Sequence, residues 1–223
     1  MALMNFNSHG SQDLYPTFLT AQLGFSKNAS TVTNCVANIG ALVGGVVAGH
    51  LSHVIGRRLM ILICCVLGGA MVYPWAFSTN NASVNAAVFF MQALGVQSSW
   101  GVIPIHLSEL SPPRFRAFIV GISYQLGNLA SSASSTIEST IGERFPLTGP
   151  NGEHVPGKYN YGKVMAIFMG CVFGVLFIVI LVGPENRGAN LLTRDPDEEI
   201  AAAQQAYFQE KNDHQHIEGD AQP

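Results

Sequence analysis

The chain contains few charged residues and no basic cluster. Only 11% of its 223 residues are Asp, Glu, Lys or Arg, whereas 48% are apolar, and the mean hydropathy is +0.27. Such values are unusual for a water-soluble domain, so lipid is the expected surroundings. The absence of a basic patch argues against nucleic acid as a partner. The acidic residues lie mostly after Gly183 or in the connection over residues 138–158.

Cysteine is also scarce, and the four cysteines, Cys35, Cys64, Cys65 and Cys171, all lie in apolar stretches. In that setting a cysteine is a packing residue rather than half of a disulfide or a metal ligand. We therefore expect no cofactor and no metal site. A signal peptide is not expected either, because the first apolar stretch lacks a basic start and a small-residue cleavage site.

Long apolar stretches take up most of the chain. Each has roughly the 20 residues that cross a hydrocarbon core, and connections rich in Gly, Pro, Asn and Ser separate them. We place about six spans near residues 1–24, 31–54, 59–77, 84–106, 116–138 and 163–183. The sequence thus predicts an all-α membrane bundle of about six transmembrane helices over residues 1–183. Residues 184–223 are predicted to form a disordered, acidic cytoplasmic tail.

Basic residues mark alternate connections, which predicts the orientation of the chain. Lys27 is the one basic residue in the short connections after spans one and three. The connections after spans two and four hold Arg57, Arg58, Arg114 and Arg116. This side is predicted to be cytoplasmic, with both termini inside. The Asn-x-Ser acceptor sequences at Asn28 and Asn81 then lie outside.

The predicted spans differ in their polar content. Spans three and six have no acidic, histidine or amide side chain, whereas the other four contribute Asn5, Gln12, Asn34, Gln92, Gln97, Gln125 and Asn128. Polar groups are costly in hydrocarbon, so these side chains should face protein or a water-filled cavity, and the bare spans can face lipid. The order polar, polar, bare occurs twice, as in transporter halves that are built from repeats.

The first span carries an unusually polar helix face. Asn5, His9 and Asp13 recur at i, i+4 and i+8, with Ser8 and Gln12 beside them. A titratable His and Asp that face a water-filled cleft suit a proton-coupled carrier. The alternative is that these groups only hydrogen-bond neighbouring helices.

The same stretch, NFNSHGSQDLYPT, resembles the N-x-x-S-H-x-S-Q-D-x-x-x-T signature of the Jen family. The specified positions are Asn5, Ser8, His9, Ser11, Gln12, Asp13 and Thr17. Jen proteins are fungal lactate/pyruvate-type proton symporters of the major facilitator superfamily, and their signature lies in the seventh helix. The resemblance implies substrate recognition and proton coupling for Asn5, His9 and Asp13, and a plasma-membrane location.

A complete carrier of this superfamily has about twelve spans, so the resemblance implies that this chain is the second half. The first half should then supply an Arg or Lys for the substrate carboxylate. Monocarboxylates and dicarboxylates are not distinguished. A second hypothesis is a non-transporting fragment that associates with intact carriers. A third, an intramembrane hydrolase using Ser8 or Ser11 with His9, is disfavoured because these side chains point in different directions and no oxyanion hole is evident, so we expect no enzyme.

Span five offers two further candidates for substrate binding, Gln125 and Asn128, whose amides could bond substrate oxygens. They belong to a polar series with Ser132 and Ser135 at spacings of three and four. The alternative is a seam of small residues with polar crosslinks between helices.

Two cytoplasmic motifs resemble those of the superfamily. GHLSHVIGRR resembles G-x-L-x-D-x-x-G-R-R, and ELSPPRFR resembles an E-x₆-R element. Their matching positions are Gly49, Gly56, Arg57, Arg58, Glu109 and Arg116. His53 stands where Asp is usual, which argues against a permanent charge pair at that position. These residues are candidates for a cytoplasmic gate, and anchoring by the positive-inside rule is the alternative for the arginines.

Overall fold

The computed structural model describes residues 1–148 and 154–185, and within these ranges the chain is almost entirely helical. The predicted all-α class is confirmed. The helices are α1 (Ala2–Gln12), α2 (Tyr15–Thr17), α3 (Lys27–Ile55), α4 (Arg57–Phe77), α5 (Asn81–Phe90), α6 (Gln97–Leu110), α7 (Arg116–Ser131), α8 (Ser134–Gly142) and α9 (Tyr161–Val182). Phe18–Gln22 and Met91–Val96 are π-helical, and Pro113–Phe115 is a 3₁₀ turn. An antiparallel pair, β1 (Pro146–Thr148) and β2 (His154–Tyr159), precedes α9.

Helical segments occupy the positions of all six predicted spans. Four segments within the described ranges are long and apolar enough to cross a membrane: α3, α4, Asn81–Leu110 and α9. The first and fifth predicted spans are broken helices, α1–α2 and α7–α8, so their crossing stays a prediction. The fifth was expected to end at residue 138, whereas α8 continues to Gly142. Of the predicted tail, residues 186–223 lie outside the described residues.

The two broken helices have local causes. Pro16 has no backbone N–H, so the Gln12 carbonyl cannot receive its usual i+4 hydrogen bond, and α1 ends at Gln12. In the second case, the Ser131 and Ser132 hydroxyls donate to the carbonyls of Gly127 and Leu129, at 2.9 and 2.8 Å. Such side-chain bonds to the helix backbone favour bending, and α7 ends at Ser131.

Close helix packing in one part of the bundle depends on glycine. Helix α3 lies against the continuous segment Asn81–Leu110. A Cβ atom at Gly40, Gly44 or Gly101 would collide with the facing backbone, at Phe89, Ala93 and Gly45 respectively. We call this contact the glycine seam. It allows two helix backbones to touch without intervening side chains.

The apolar spans pack on one face and expose the other. Helix α4 packs along α9, and Trp75 of α4 stacks on Tyr15 with ring centroids 5.1 Å apart. The outer faces carry exposed apolar side chains such as Val66 of α4 and Ile178 of α9. Large exposed apolar faces on a soluble monomer would be unusual, so lipid is their natural surroundings.

The predicted orientation has a direct test, because the marker positions Asn28, Asn81 and Arg114 are all exposed. In a background that replaces the exposed Cys35 and Cys171 with Ser, each marker is changed to Cys in turn. We expect an impermeant maleimide to label residues 28 and 81 from outside the cell, and residue 114 only after the membrane is opened. Labelling of residues 28 and 114 from the same side would contradict the six-span topology.

Candidate functional site

A polar group of side chains lies at the end of α1, where His9 and Asp13 form a pair. His9 Nδ1 lies 2.9 Å from Asp13 Oδ2, one helical turn away. Their side chains are 35% and 40% exposed, so water reaches both groups. Because α1 ends at Gln12, the pair stands at the point where the regular helix stops.

The other imidazole nitrogen of His9 faces α7. His9 Nε2 lies 3.4 Å from Asn128 Oδ1. A neutral imidazole has one N–H, so it can donate to Asp13 or to Asn128 but not to both. Only the imidazolium form can donate to both oxygens at once. Protonation of His9 therefore strengthens its contacts on two sides.

Helix α7 approaches α1 closely enough to hold this geometry. A Cβ on Gly127 would collide with Asn5 Nδ2, and the same Asn5 amide donates to the Tyr124 carbonyl at 3.5 Å. Asn5 is buried at 2% exposure, so this amide connects the two helices more than it faces water. The structure thus groups Asn5, His9 and Asn128 along one helix contact.

Two amide side chains contact another side of α1: Gln92 lies in the π-helical segment, and Gln97 is the first residue of α6. The amide Nε2 of Gln12 donates to Gln92 Oε1 at 3.4 Å, and Gln92 donates to Ser11 Oγ at 3.3 Å. Gln97 donates to Ser8 Oγ at 3.5 Å. Sequence reasoning named Gln92 and Gln97 only as polar groups, although an amide in an apolar span was the available signal. π-Helical turns often occur at functional sites, where they redirect side chains.

A cleft of about 390 Å³ lies between α1 and α3. Its lining residues are Gln12, Asp13, Pro16, Asn34, Ala37, Asn38, Ala41 and Gln92. Asn34 and Asn38, one turn apart on α3, face the same space as Asp13. None of the described residues that line the cleft is Lys or Arg. The cleft is large enough for a small organic acid with water, and its polar groups are amides and one carboxylate.

The structure does not bring every candidate residue to this site. Gln125 lies on the exposed side of α7, and no side-chain hydrogen bond of its own is found among the described residues. Ser8 contacts Gln97 and Gln12 rather than the His9–Asp13 pair. One assembled group therefore comprises Asn5, His9, Asp13 and Asn128. A second group joins Ser8 and Gln12 to the amides of Gln97 and Gln92.

The candidate gate residues form a second cluster, centred on Arg57. Arg57 is 4% exposed, and its Nη2 donates to Glu109 Oε1 at 2.9 Å. Its Nε lies 3.2 Å from each Glu109 oxygen, and Nη1 donates to Ser52 Oγ at 2.6 Å. This buried pair joins the connection between α3 and α4 to the end of α6. His53 Nδ1 lies 3.0 Å from Arg57 Nη2, so a neutral imidazole accepts where an Asp would form a charge pair.

Contacts of the neighbouring positions extend the cluster to the end of α9. The Arg57 backbone N–H donates to Glu185 Oε1 at 2.8 Å, and Arg58 Nε donates to the Ile180 carbonyl at 3.0 Å. Gly56 has φ +110, a backbone conformation that side-chain-bearing residues rarely adopt. The motif residues Gly56, Arg57 and Arg58 thus connect three helix ends.

The remaining gate candidates, Gly49 and Arg116, lie near this cluster. Gly49 faces the Gly101 carbonyl, and a Cβ there would be 3.2 Å from that oxygen. Arg116 Nε donates to the Ser108 carbonyl at 2.9 Å. Gly49 therefore contributes to close packing of α3 on α6, while Arg116 holds the start of α7 against the end of α6.

Comparison with known proteins covers most of the chain. The family model described as "Sugar (and other) transporter" matches residues 1–195. The chain belongs to this transporter family. It is a family of membrane transporters, not of enzymes, and the apolar helices fit a membrane-embedded member.

Two curated relatives illustrate the match. The "Carboxylic acid transporter protein homolog" of Saccharomyces cerevisiae is 48% identical over 182 residues, which are 82% of this chain and 29% of the relative. "Myo-inositol transporter 1A" of Cryptococcus neoformans is 28% identical over 180 residues, which are 80% of this chain and 28% of the relative. The chain spans less than a third of the length of each. The yeast match confirms the resemblance to carboxylate carriers that the α1 motif indicates.

Solved structures of the xylose transporter XylE from E. coli share the fold. The partially occluded inward-open form has a TM-score of 0.58 at 15% identity and covers 83% of this chain and 46% of its own. The inward-open form has a TM-score of 0.57 at 16% identity, with the same coverage. The chain therefore has the fold of half a major facilitator superfamily transporter.

Proposed function

We propose that this chain is the C-terminal half of a twelve-span carrier of the plasma membrane, which moves a short carboxylate of the lactate or pyruvate type together with a proton. The contact of His9 with both Asp13 and Asn128 is the observation that carries the proposal. This contact joins two titratable groups to an amide. One of the two, Asp13, lines the cleft, which has room for a small acid. The match to a carboxylic acid transporter homologue supports the substrate class.

In this proposal a proton binds the His9–Asp13 pair from the side of the membrane to which the cleft is open. The imidazolium then attracts the substrate carboxylate, and the amides or hydroxyls of Asn5, Ser8, Gln12, Gln125 and Asn128 bond its oxygens. Release of the proton removes the attraction, so substrate and proton leave together. The exposed Gln125 would contribute from the side that faces the first half of the carrier.

The first half is a required partner because the cleft lacks a fixed cation among its described lining residues. A carboxylate that leaves water needs compensation for its charge, and His9 supplies this only when protonated. We propose that an Arg or Lys of the N-terminal half faces the cleft. Gly49, Gly56, Arg57, Arg58, Glu109 and Arg116 would close the cytoplasmic side in one state.

The test compares this chain alone with the chain joined to the N-terminal half of the yeast relative. Both proteins are reconstituted in vesicles, and uptake of labelled lactate is measured under an inward proton gradient. We expect no uptake above the protein-free control for the chain alone, and saturable, gradient-dependent uptake for the joined protein. The N-terminal half of the yeast relative alone serves as the matched negative control.

Two results would contradict this proposal. Saturable uptake by the chain alone would show that it builds a complete pathway without the first half. Absence of lactate uptake by a joined protein that is inserted and folded would favour the non-transporting partner instead. Binding of the isolated chain to an intact carrier would then be the expected observation.

A further inference from the structure

A carboxyl group that plays no part in the cleft is buried in α8. Glu138 is 0% exposed, and neither of its carboxyl oxygens has a hydrogen-bond partner among the described residues. The sequence places it at the end of a predicted span, where an acidic residue would normally face water. The structure instead places it in the middle of α8, which continues one turn further to Gly142.

The surroundings of Glu138 are apolar. Helix α8 packs against α9 and α1, and Glu138 borders a cavity of about 180 Å³ between α8 and α9. The other lining residues are Ile137, Ile141, Val164, Ile167, Phe168 and Cys171. Ser134, one turn earlier on α8, is also fully buried, and its Oγ lacks a partner within the described ranges.

No described cation compensates a negative charge at Glu138. The titratable side chains on and next to the elements packed around it are His9 of α1 and Asp13 just after it, Tyr161, Lys163 and Cys171 of α9, and Glu143, which follows the last residue of α8. Lys163 Nζ lies over the Phe145 ring, 4.9 Å from its centre, and His9 is paired with Asp13. Asp13 interacts electrostatically with Glu138 as a like charge.

Burying a lone carboxylate in such a place costs several kcal/mol or more, whereas a neutral carboxylic acid avoids most of that cost. A residue with this environment inside a membrane protein points to a proton site.

We propose that Glu138 is a proton-binding site of the carrier, separate from the His9–Asp13 pair and occupied by a proton in the conformation described here. The site lies between α1, α8 and α9, outside the lining of the cleft. Its ligand is a single proton. The part of Glu138 in transport rests on the proposed proton coupling. The occupancy of Glu138 by a proton follows from burial alone and does not depend on that coupling. Glu138 would release its proton only in a conformation that opens this helix contact to water.

Occupancy is tested on the chain itself in lipid vesicles with dicyclohexylcarbodiimide, an apolar reagent that reacts with protonated carboxyl groups. Mass spectrometry of the labelled peptides then locates the adduct. We expect an adduct at Glu138 in the wild type and in Glu143→Gln, a matched control because Glu143 is exposed and directly follows the same helix. Glu138→Gln should lose this adduct. Absence of an adduct at Glu138 in the wild type, even at acidic pH, would overturn the proposal.

The part in transport is tested in the joined protein with Glu138→Gln, which preserves shape and cannot release a proton. We expect loss of most gradient-driven lactate uptake, with exchange of substrate across the membrane retained. The pH profile of uptake should also shift, which a purely structural role would not cause. If wild-type lactate uptake does not depend on the proton gradient, the proposed proton coupling is contradicted. If wild-type uptake is coupled and Glu138→Gln has the same profile, only the role of Glu138 fails.

Discussion

Asp13→Asn in the joined carrier is expected to remove most lactate uptake driven by a pH gradient. The substitution preserves the size of the side chain and some hydrogen bonding, but the amide cannot accept a proton. His9 Nδ1 then loses the carboxylate oxygen that lies 2.9 Å away. Exchange of labelled for unlabelled substrate should suffer less, because exchange does not require the return of an empty, deprotonated site.

His9→Ala should weaken substrate binding as well as shift the pH dependence. A hydrogen bond to a charged group contributes about 1.5–3 kcal/mol, so its loss corresponds to roughly 10- to 100-fold weaker binding. Uptake rates against lactate concentration and pH measure both effects, with Glu143→Gln as a carboxyl-to-amide control. The amount of each variant in the membrane is matched first. If both variants retain the wild-type pH dependence and proton-to-substrate ratio, the polar face of α1 is structural.

Arg57→Met is expected to destabilise the chain strongly. It leaves Glu109 buried at 4% exposure without the guanidinium that donates to both of its oxygens. Removing one member of a buried ion pair typically costs about 3–5 kcal/mol. Replacing both members with apolar residues of similar volume is often nearly neutral. The double variant Arg57→Met/Glu109→Leu should therefore recover much of the stability that the single variant loses.

Thermal unfolding in detergent checks this expectation through the midpoint temperature. Arg114→Met is the matched control, because Arg114 is exposed and belongs to the same cytoplasmic side in the predicted topology; its midpoint should stay near that of the wild type. Equal midpoints for Arg57→Met and the wild type would show that the pair contributes little. A double variant that is less stable than Arg57→Met would show that Glu109 has favourable contacts apart from Arg57.

Hydropathy predicts the positions of the helices well because burial in lipid demands long apolar segments with internal backbone hydrogen bonds. It does not predict that the first and fifth spans break into pieces. The α1 break follows from Pro16, which is readable in the sequence. The α7 break coincides with Ser131 and Ser132 bonding to backbone carbonyls. Ser99 and Ser108 make the same kind of bond without a break in α6, so serine by itself does not predict one.

The candidate site was only partly predictable, for a physical reason. The contact of His9 with Asp13 follows from i, i+4 spacing, whereas the contact of Gln92 with Gln12 joins residues 80 positions apart. Such pairings depend on how helices pack, and periodicity alone does not contain that information. Glu138 was similarly placed at the boundary between the fifth span and the connection that follows, because only tertiary packing buries it.

The glycine seam has a consequence for how this half of the molecule can change shape. Side chains that interlock can switch between rotamers and let two helices slide, but backbone pressed against backbone at Gly40, Gly44 and Gly101 offers no such adjustment. We therefore expect helix α3 and the segment Asn81–Leu110 to move together. The breaks after Gln12 and Ser131 lie outside this contact, so the two interrupted helices are the places where we expect this half of the molecule to bend.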